Sequence, residues 1–165
     1  MLTAISIRWS LARESCLMKL TGLTPILNVA DIAVSIEWFE KLGWKRGFTW
    51  NASGMMPHGA VVNSHGPATF GSVCAGDFEI FHCRGAQGSR GTTRLQGVRD
   101  ESTGGVWMSW WLTSPSEVDE VHAIALQHGM IVSWPPTDFP WGVREMGLVH
   151  PDGHTFRISA GLHAE

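Results

Sequence analysis

The feature that most constrains this chain is a succession that occurs twice: a strand, a capped helix ended by glycine, a second strand and a hairpin. In the first half, Thr24-Pro25-Ile26-Leu27-Asn28-Val29 reads as the strand, with Pro25 near its start, where a missing N–H is tolerated. Asp31 is a good N-cap, Ile32, Ile36 and Phe39 fall at helical spacing, and Gly43 supplies the left-handed residue that stops the helix. Residues 44–50 read as a strand. Residues 68–74 and 78–83 make a hairpin about Ala75-Gly76-Asp77.

The second half repeats this order. Residues 106–112 are a strand. Ser114-Pro115-Ser116-Glu117 is a capping box with proline in the first helical turn, and the helix ends at Gly129. Residues 130–134 are a strand, 135–140 a loop, and a closing hairpin turns at Pro151-Asp152-Gly153. Its last strand alternates: Phe156 and Ile158 face one side, Thr155, Arg157 and Ser159 the other. The expected class is α+β: two βαβββ modules forming a curved mixed sheet around a cleft, with helices outside. The divisions are an N-terminal extension (1–17), a first module (18–84), a linker loop (85–105) and a second module (106–165). Residues 51–67, rich in Gly, Asn, Pro and His, read as a long, mobile hairpin or lid.

Composition narrows the function. The net charge is −3 with no basic run, which argues against a nucleic-acid partner, and no apolar run reaches membrane length. Residues 1–17 lack the apolar core of a secretory signal, and Met18 is expected to be the natural start. Cys16, Cys74 and Cys83 have no paired spacing and fit reduced thiols in a cytoplasm. Nine Trp and no Tyr favour a site that grips something flat, or a Trp-heavy core.

Three stretches carry a family resemblance: Leu27-Asn28-Val29-Ala30-Asp31 before a helix ending in Leu42-Gly43-Trp44; Pro140-Trp141-Gly142-Val143-Arg144-Glu145; and Pro151-Asp152-Gly153-His154. With the doubled pattern, they resemble the vicinal oxygen chelate superfamily of glyoxalases, bleomycin-resistance proteins and extradiol dioxygenases, and the bleomycin-resistance-like branch in particular. Enzymes of that superfamily usually hold one divalent metal through inward residues on the first and last strand of each module. The resemblance carries those positions onto Thr24, His82, Trp107 and Arg157, the last where many metal-binding relatives have Glu. Tryptophan cannot ligate, and a guanidinium repels a cation. The expectation is therefore a protein without metal or other cofactor.

The candidate ligand-binding residues are Thr24, Trp50, His82, Trp107, Trp111 and Arg157. His82 and Arg157 are expected to face the cleft together and favour an anionic or hydrogen-bond-accepting group. Trp107 and Trp111 share a side with Ser109 by alternation. Arg157 paired structurally with Glu79 or Glu145 is the plainer alternative, and Arg144-Glu145 reads as an internal ion pair. The leading expectation is a cytoplasmic small-molecule-binding protein holding an aromatic or amphipathic ligand in a Trp-lined cleft. The expected assembly is a homodimer, as the resemblance implies, with no nucleic-acid or membrane partner. The alternative is a metal-dependent lyase, isomerase or dioxygenase with one divalent metal on relocated ligands drawn from His58, His65, Glu79 and His82. Whether any reaction is catalysed is left open by these residues.

Overall fold

The computed structural model describes residues 21–85, 90 and 106–162. The N-terminal extension, most of the linker loop and the last three residues lie outside them. In chain order the elements are β1 (Ile26–Val29), α1 (Ile32–Lys41), β2 (Lys45–Asn51), β3 (Gly54–Met55), β4 (Val62–Asn63), β5 (Gly66–Pro67), β6 (Phe70–Ala75) and β7 (Phe78–Arg84). The second module follows with β8 (Trp107–Trp111), α2 (Pro115–Gln127), β9 (Ile131–Phe139), β10 (Val143–Val149) and β11 (Thr155–Gly161). One sheet runs β1-β7-β6-β2-β3 and the other β8-β11-β10-β9. Within each, the module's first strand pairs parallel with its last, β1 with β7 and β8 with β11. The fold is α+β and built from the two expected modules. No helix among the described residues is long and apolar enough to cross a membrane.

Both helices form where local chemistry specifies them. The Asp31 carboxylate accepts from the Ala33 and Val34 N–H groups, satisfying two donors the first turn leaves free. At α2, Ser114 Oγ accepts from Glu117 N–H while the Glu117 carboxylate accepts from Ser114 N–H, which closes the capping box. Gly43 (φ 87°) and Gly129 (φ 63°) take the left-handed conformation after each helix.

Each sheet has a helix-covered face and an open face. Phe156, Ile158, Met146 and Leu148 are fully buried on the covered face of the second sheet; Leu27, Val29, Val73 and Ile80 are buried on that of the first. Helix α1 joins the two. Its Phe39 ring lies 5.0 Å from His82 of β7, 5.5 Å from Phe156 and 5.8 Å from Trp110, and its Trp38 ring lies 5.4 Å from Phe156. One core therefore serves both modules.

One expectation needs correction. Residues 135–140 are not a loop: β9 continues through Pro135 and Pro136 to Phe139. It is an edge strand, and its register against β10 shifts between Glu145 and Gly147, so both prolines fall at a bulge that makes no demand on their missing N–H. Of the two forms expected for residues 51–67, the structure contains the hairpin. Asn51 donates to Asn63 and to the Gly66 carbonyl, Ser53 donates to Asn51, and β4 pairs with β5 as a small hairpin of its own.

Candidate functional site

The open face of the second sheet can be laid out from its register. Trp107 lies opposite Thr155, and Ser109 opposite Arg157, which in turn lies opposite Gly147. Trp111 lies opposite Ser159, itself opposite Glu145. Trp134 of β9 comes next to Gly147. A side chain at Gly147 would collide with Ser133 and the Trp134 indole, so the glycine is what lets that ring lie over the sheet. Trp107 and Trp134 stack, with centroids 6.3 Å apart and planes 23° from parallel. At the far end of β9, Phe139 and Trp141 stack at 4.5 Å. Trp107 is 48 % exposed and Trp111 67 %. Exposed indoles thus border a polar floor of Ser109, Arg157, Ser159 and Glu145.

An ion pair occupies that floor. Arg157 Nη2 donates to both Glu145 oxygens at 2.7 Å, and the Ser159 hydroxyl donates to Glu145 Oε2 at 3.4 Å. Glu145 is only 4 % exposed, whereas the Arg157 side chain is 37 % exposed. Arg144, one residue away, points to the other side of β10. It holds Asp119 of α2 through Nε and Nη2 and Asp138 of β9 through Nη1. Arg144 and Glu145 are not an internal pair, because neighbours on a strand face opposite sides.

The candidate residues separate cleanly. Trp107, Trp111 and Arg157 share the open face of the second sheet. Trp50 is exposed on β2, opposite Met55 and Phe70 on the open face of the first sheet. Thr24 lies before β1, half-buried. His82 is not with Arg157. It pairs in register with Leu27 and Gly71, on the covered face, and is fully buried against Phe39. The open-face residues of β7 are Glu79, Phe81 and Cys83, one step out of phase with His82.

His82 belongs instead to a buried seam with His150 and His154. His150 Nδ1 accepts from Asp152 N–H and its Nε2 bonds Ser35 Oγ of α1 at 2.9 Å. His154 Nδ1 accepts from Val106 N–H, so its Nε2 donates to the Asn28 carbonyl of β1 at 2.8 Å. Neither nitrogen of His82 has a hydrogen-bond partner among the described residues. Burial, and then the nearby His154, push the His82 pKa down to about 3. Burial likewise holds His150 well below the usual imidazole range and lowers His154, the latter against the bond to Asn28.

Among the described residues the donors a divalent metal needs are not assembled. The four superfamily positions offer an arginine already bonded to a carboxylate, a tryptophan, a core histidine and a threonine outside the sheet. Among the described residues no group of three His, Cys, Asp or Glu side chains could hold a metal ion. His58 and His65 are exposed in the β3–β5 excursion, apart from buried His82, and Glu79 lies beside the Cys74 thiol. Burial and that carboxylate push the Cys74 pKa up.

Arg157 pairs with Glu145, the plainer alternative that the sequence left open. Two groups escaped the sequence reading. Trp134 reaches the same face from β9. Phe48, Phe70 and Phe81 form a ring cluster on the open face of the first sheet, with centroids 5.3 to 5.6 Å apart. An open groove of about 370 Å3 adjoins this region, lined by Arg46, Gly47, Phe48, Thr49, Met55, Met56 and His58.

Comparison with known proteins places the architecture. No protein-family model and no curated protein sequence matches the chain. Among solved structures it is similar to TioX from Micromonospora sp. ML1, with a TM-score of 0.61 at 16 % identity over 85 % of this chain and 98 % of that one. A glyoxalase/bleomycin resistance protein/dioxygenase from Nocardioides gives 0.59 at 19 % identity, covering 90 % and 87 %. A lactoylglutathione lyase from Agrobacterium tumefaciens gives 0.59 at 13 % identity, covering 88 % and 97 %. The chain has the glyoxalase-like fold of these structures, the fold that the resemblance implied.

Proposed function

We propose that this protein binds a small, flat aromatic or amphipathic molecule on the open face of its second sheet, and does so without a metal. The observation that carries this reading is the arrangement of Trp107, Trp111 and Trp134 about the Arg157–Glu145 floor, with Trp107 48 % and Trp111 67 % exposed. Large amphipathic rings beside a few fixed polar groups are what a small-molecule site requires. Similarity to TioX and to the glyoxalase/bleomycin-resistance/dioxygenase protein is consistent with it at the level of fold.

The working unit is a homodimer in the cytoplasm. Support for pairing comes from the exposed apolar side chains left on both open faces, Trp50 and Met55 on the first and Trp107 and Trp111 on the second. The free thiols of Cys74 and Cys83 fit a reducing compartment.

The test is a thermal-shift and tryptophan-quenching screen against aromatic compounds, with metal analysis of the purified protein alongside. A specific ligand should raise the unfolding temperature by mass action, and Trp111→Ala should weaken it about tenfold. One tightly held equivalent of divalent metal, or hits indifferent to Trp107 and Trp111, would overturn the reading.

A further inference from the structure

The polar floor bears on which ligands the face accepts. Arg157 and Glu145 are the only charged side chains placed by register on the open face of β8, β11, β10 and β9. Glu145 is nearly inaccessible, and its two oxygens accept both Arg157 Nη2 contacts and the Ser159 hydroxyl. The guanidinium charge is therefore already compensated from below. Its Nε and Nη1 groups have no partner among the described residues, on a side chain that is more than a third exposed. The floor thus offers N–H donors with little net positive field behind them.

We infer that the Arg157–Glu145 floor selects flat aromatic ligands bearing a neutral carbonyl-type acceptor, and discriminates against the corresponding carboxylates. The inference rests on the proposed ligand face and specifies its chemistry. A neutral amide or ketone oxygen accepts from Arg157 Nε or Nη1 while its ring lies against Trp111 or the Trp107–Trp134 stack. A carboxylate at the same place lies close to buried Glu145, which repels it, and gives up its hydration without a net cation in return. Glu145 is then a specificity determinant that acts through Arg157 without touching the ligand.

Calorimetric titration of the full chain with 2-naphthamide and 2-naphthoate at pH 7.5 tests this. The amide should bind at least tenfold more tightly than the carboxylate. In E145Q the guanidinium is no longer compensated, and the ratio of naphthoate to naphthamide affinity should rise at least tenfold. Circular dichroism checks that E145Q folds; if it does not, the wild-type ranking alone decides. Equal or tighter binding of naphthoate to the wild type overturns the inference. The ligand face itself survives that result if Trp111→Ala weakens both probes. Binding that ignores Trp111, or no binding of either probe, overturns the face and the inference together.

Discussion

The two open faces are built on the same βαβββ plan and come out chemically different. On the first sheet, Phe48, Phe70 and Phe81 fill the face with one another, and the Phe48 N–H is taken by the Ser72 hydroxyl. On the second sheet the bulky rings stand on the edge strands β8 and β9, and the middle strands supply glycine, small hydroxyls and one ion pair. The phenyl rings of the first face turn to one another, and that face leaves open Trp50, Met55 and the groove beside Phe48. A face whose rings stand at the margins and whose floor keeps unpaired N–H donors has both shape and polarity available. On the function proposed above, recognition falls to the second module of this duplicated architecture.

The shared core must hold for this contrast to exist, so substitutions there have the largest expected effect. Phe39→Ala removes a fully buried ring that touches His82, Trp110 and Phe156, and should cost about 3–5 kcal/mol. Urea unfolding should show both modules lost in one transition; two separated transitions would show that the sheets do not share a core. Acid attacks the same seam. His82, His150 and His154 are held neutral when folded, with pKa values below the unfolded value of about 6.5. The unfolded chain therefore binds more protons, and stability is complete above about pH 6.5 and falls as pH drops, down to about 3 for His82. Each imidazole that stays neutral adds about 1.4 kcal/mol per pH unit to that slope. His82→Phe should flatten the profile by about one proton; an unchanged slope would remove His82 from the account.

Smaller effects separate the faces. Arg157→Ala strands the buried Glu145 carboxylate and should cost about 2 kcal/mol, below the range for fully buried pairs because Arg157 is partly exposed. Glu79→Ala, on the first face, should change stability by about 0.5 kcal/mol or less. Equal losses would erase the distinction between the floors. The smallest stability effect is expected for Trp111→Ala, within about 0.5 kcal/mol by urea denaturation, because that ring is mostly exposed. A larger loss would mean that Trp111 packs as core.

What was legible in the sequence was what is local. Asp31, the Ser114–Glu117 box, Gly43 and Gly129 fix both helices through bonds spanning a few residues. The alternation of Thr155, Phe156, Arg157, Ile158 and Ser159 fixes which side Arg157 takes. Residues 78–84 carry apolar side chains in both phases, Phe78 and Ile80 in one and Phe81 and Cys83 in the other. Alternation therefore cannot choose a face for His82, and only the register with β1 and β6 does so. Pro135 and Pro136 read as breakers because neither the edge position of β9 nor its bulge is visible within the segment. Trp134, Glu145 and Arg157 come from three strands, and their meeting depends on pairings made after the chain has turned twice.

The seam also sets an order in time. His154 bonds the Asn28 carbonyl across 126 residues of chain, the Asp152 carboxylate accepts from the Ala30 N–H across 122, and His150 meets Ser35 across 115. As the chain leaves the ribosome, the first module emerges long before these partners exist. Until the final hairpin has been made, Phe39 has Trp44 and His82 of its own module to pack against, while Trp38 lacks His150 and Phe156. Such distant closures slow folding.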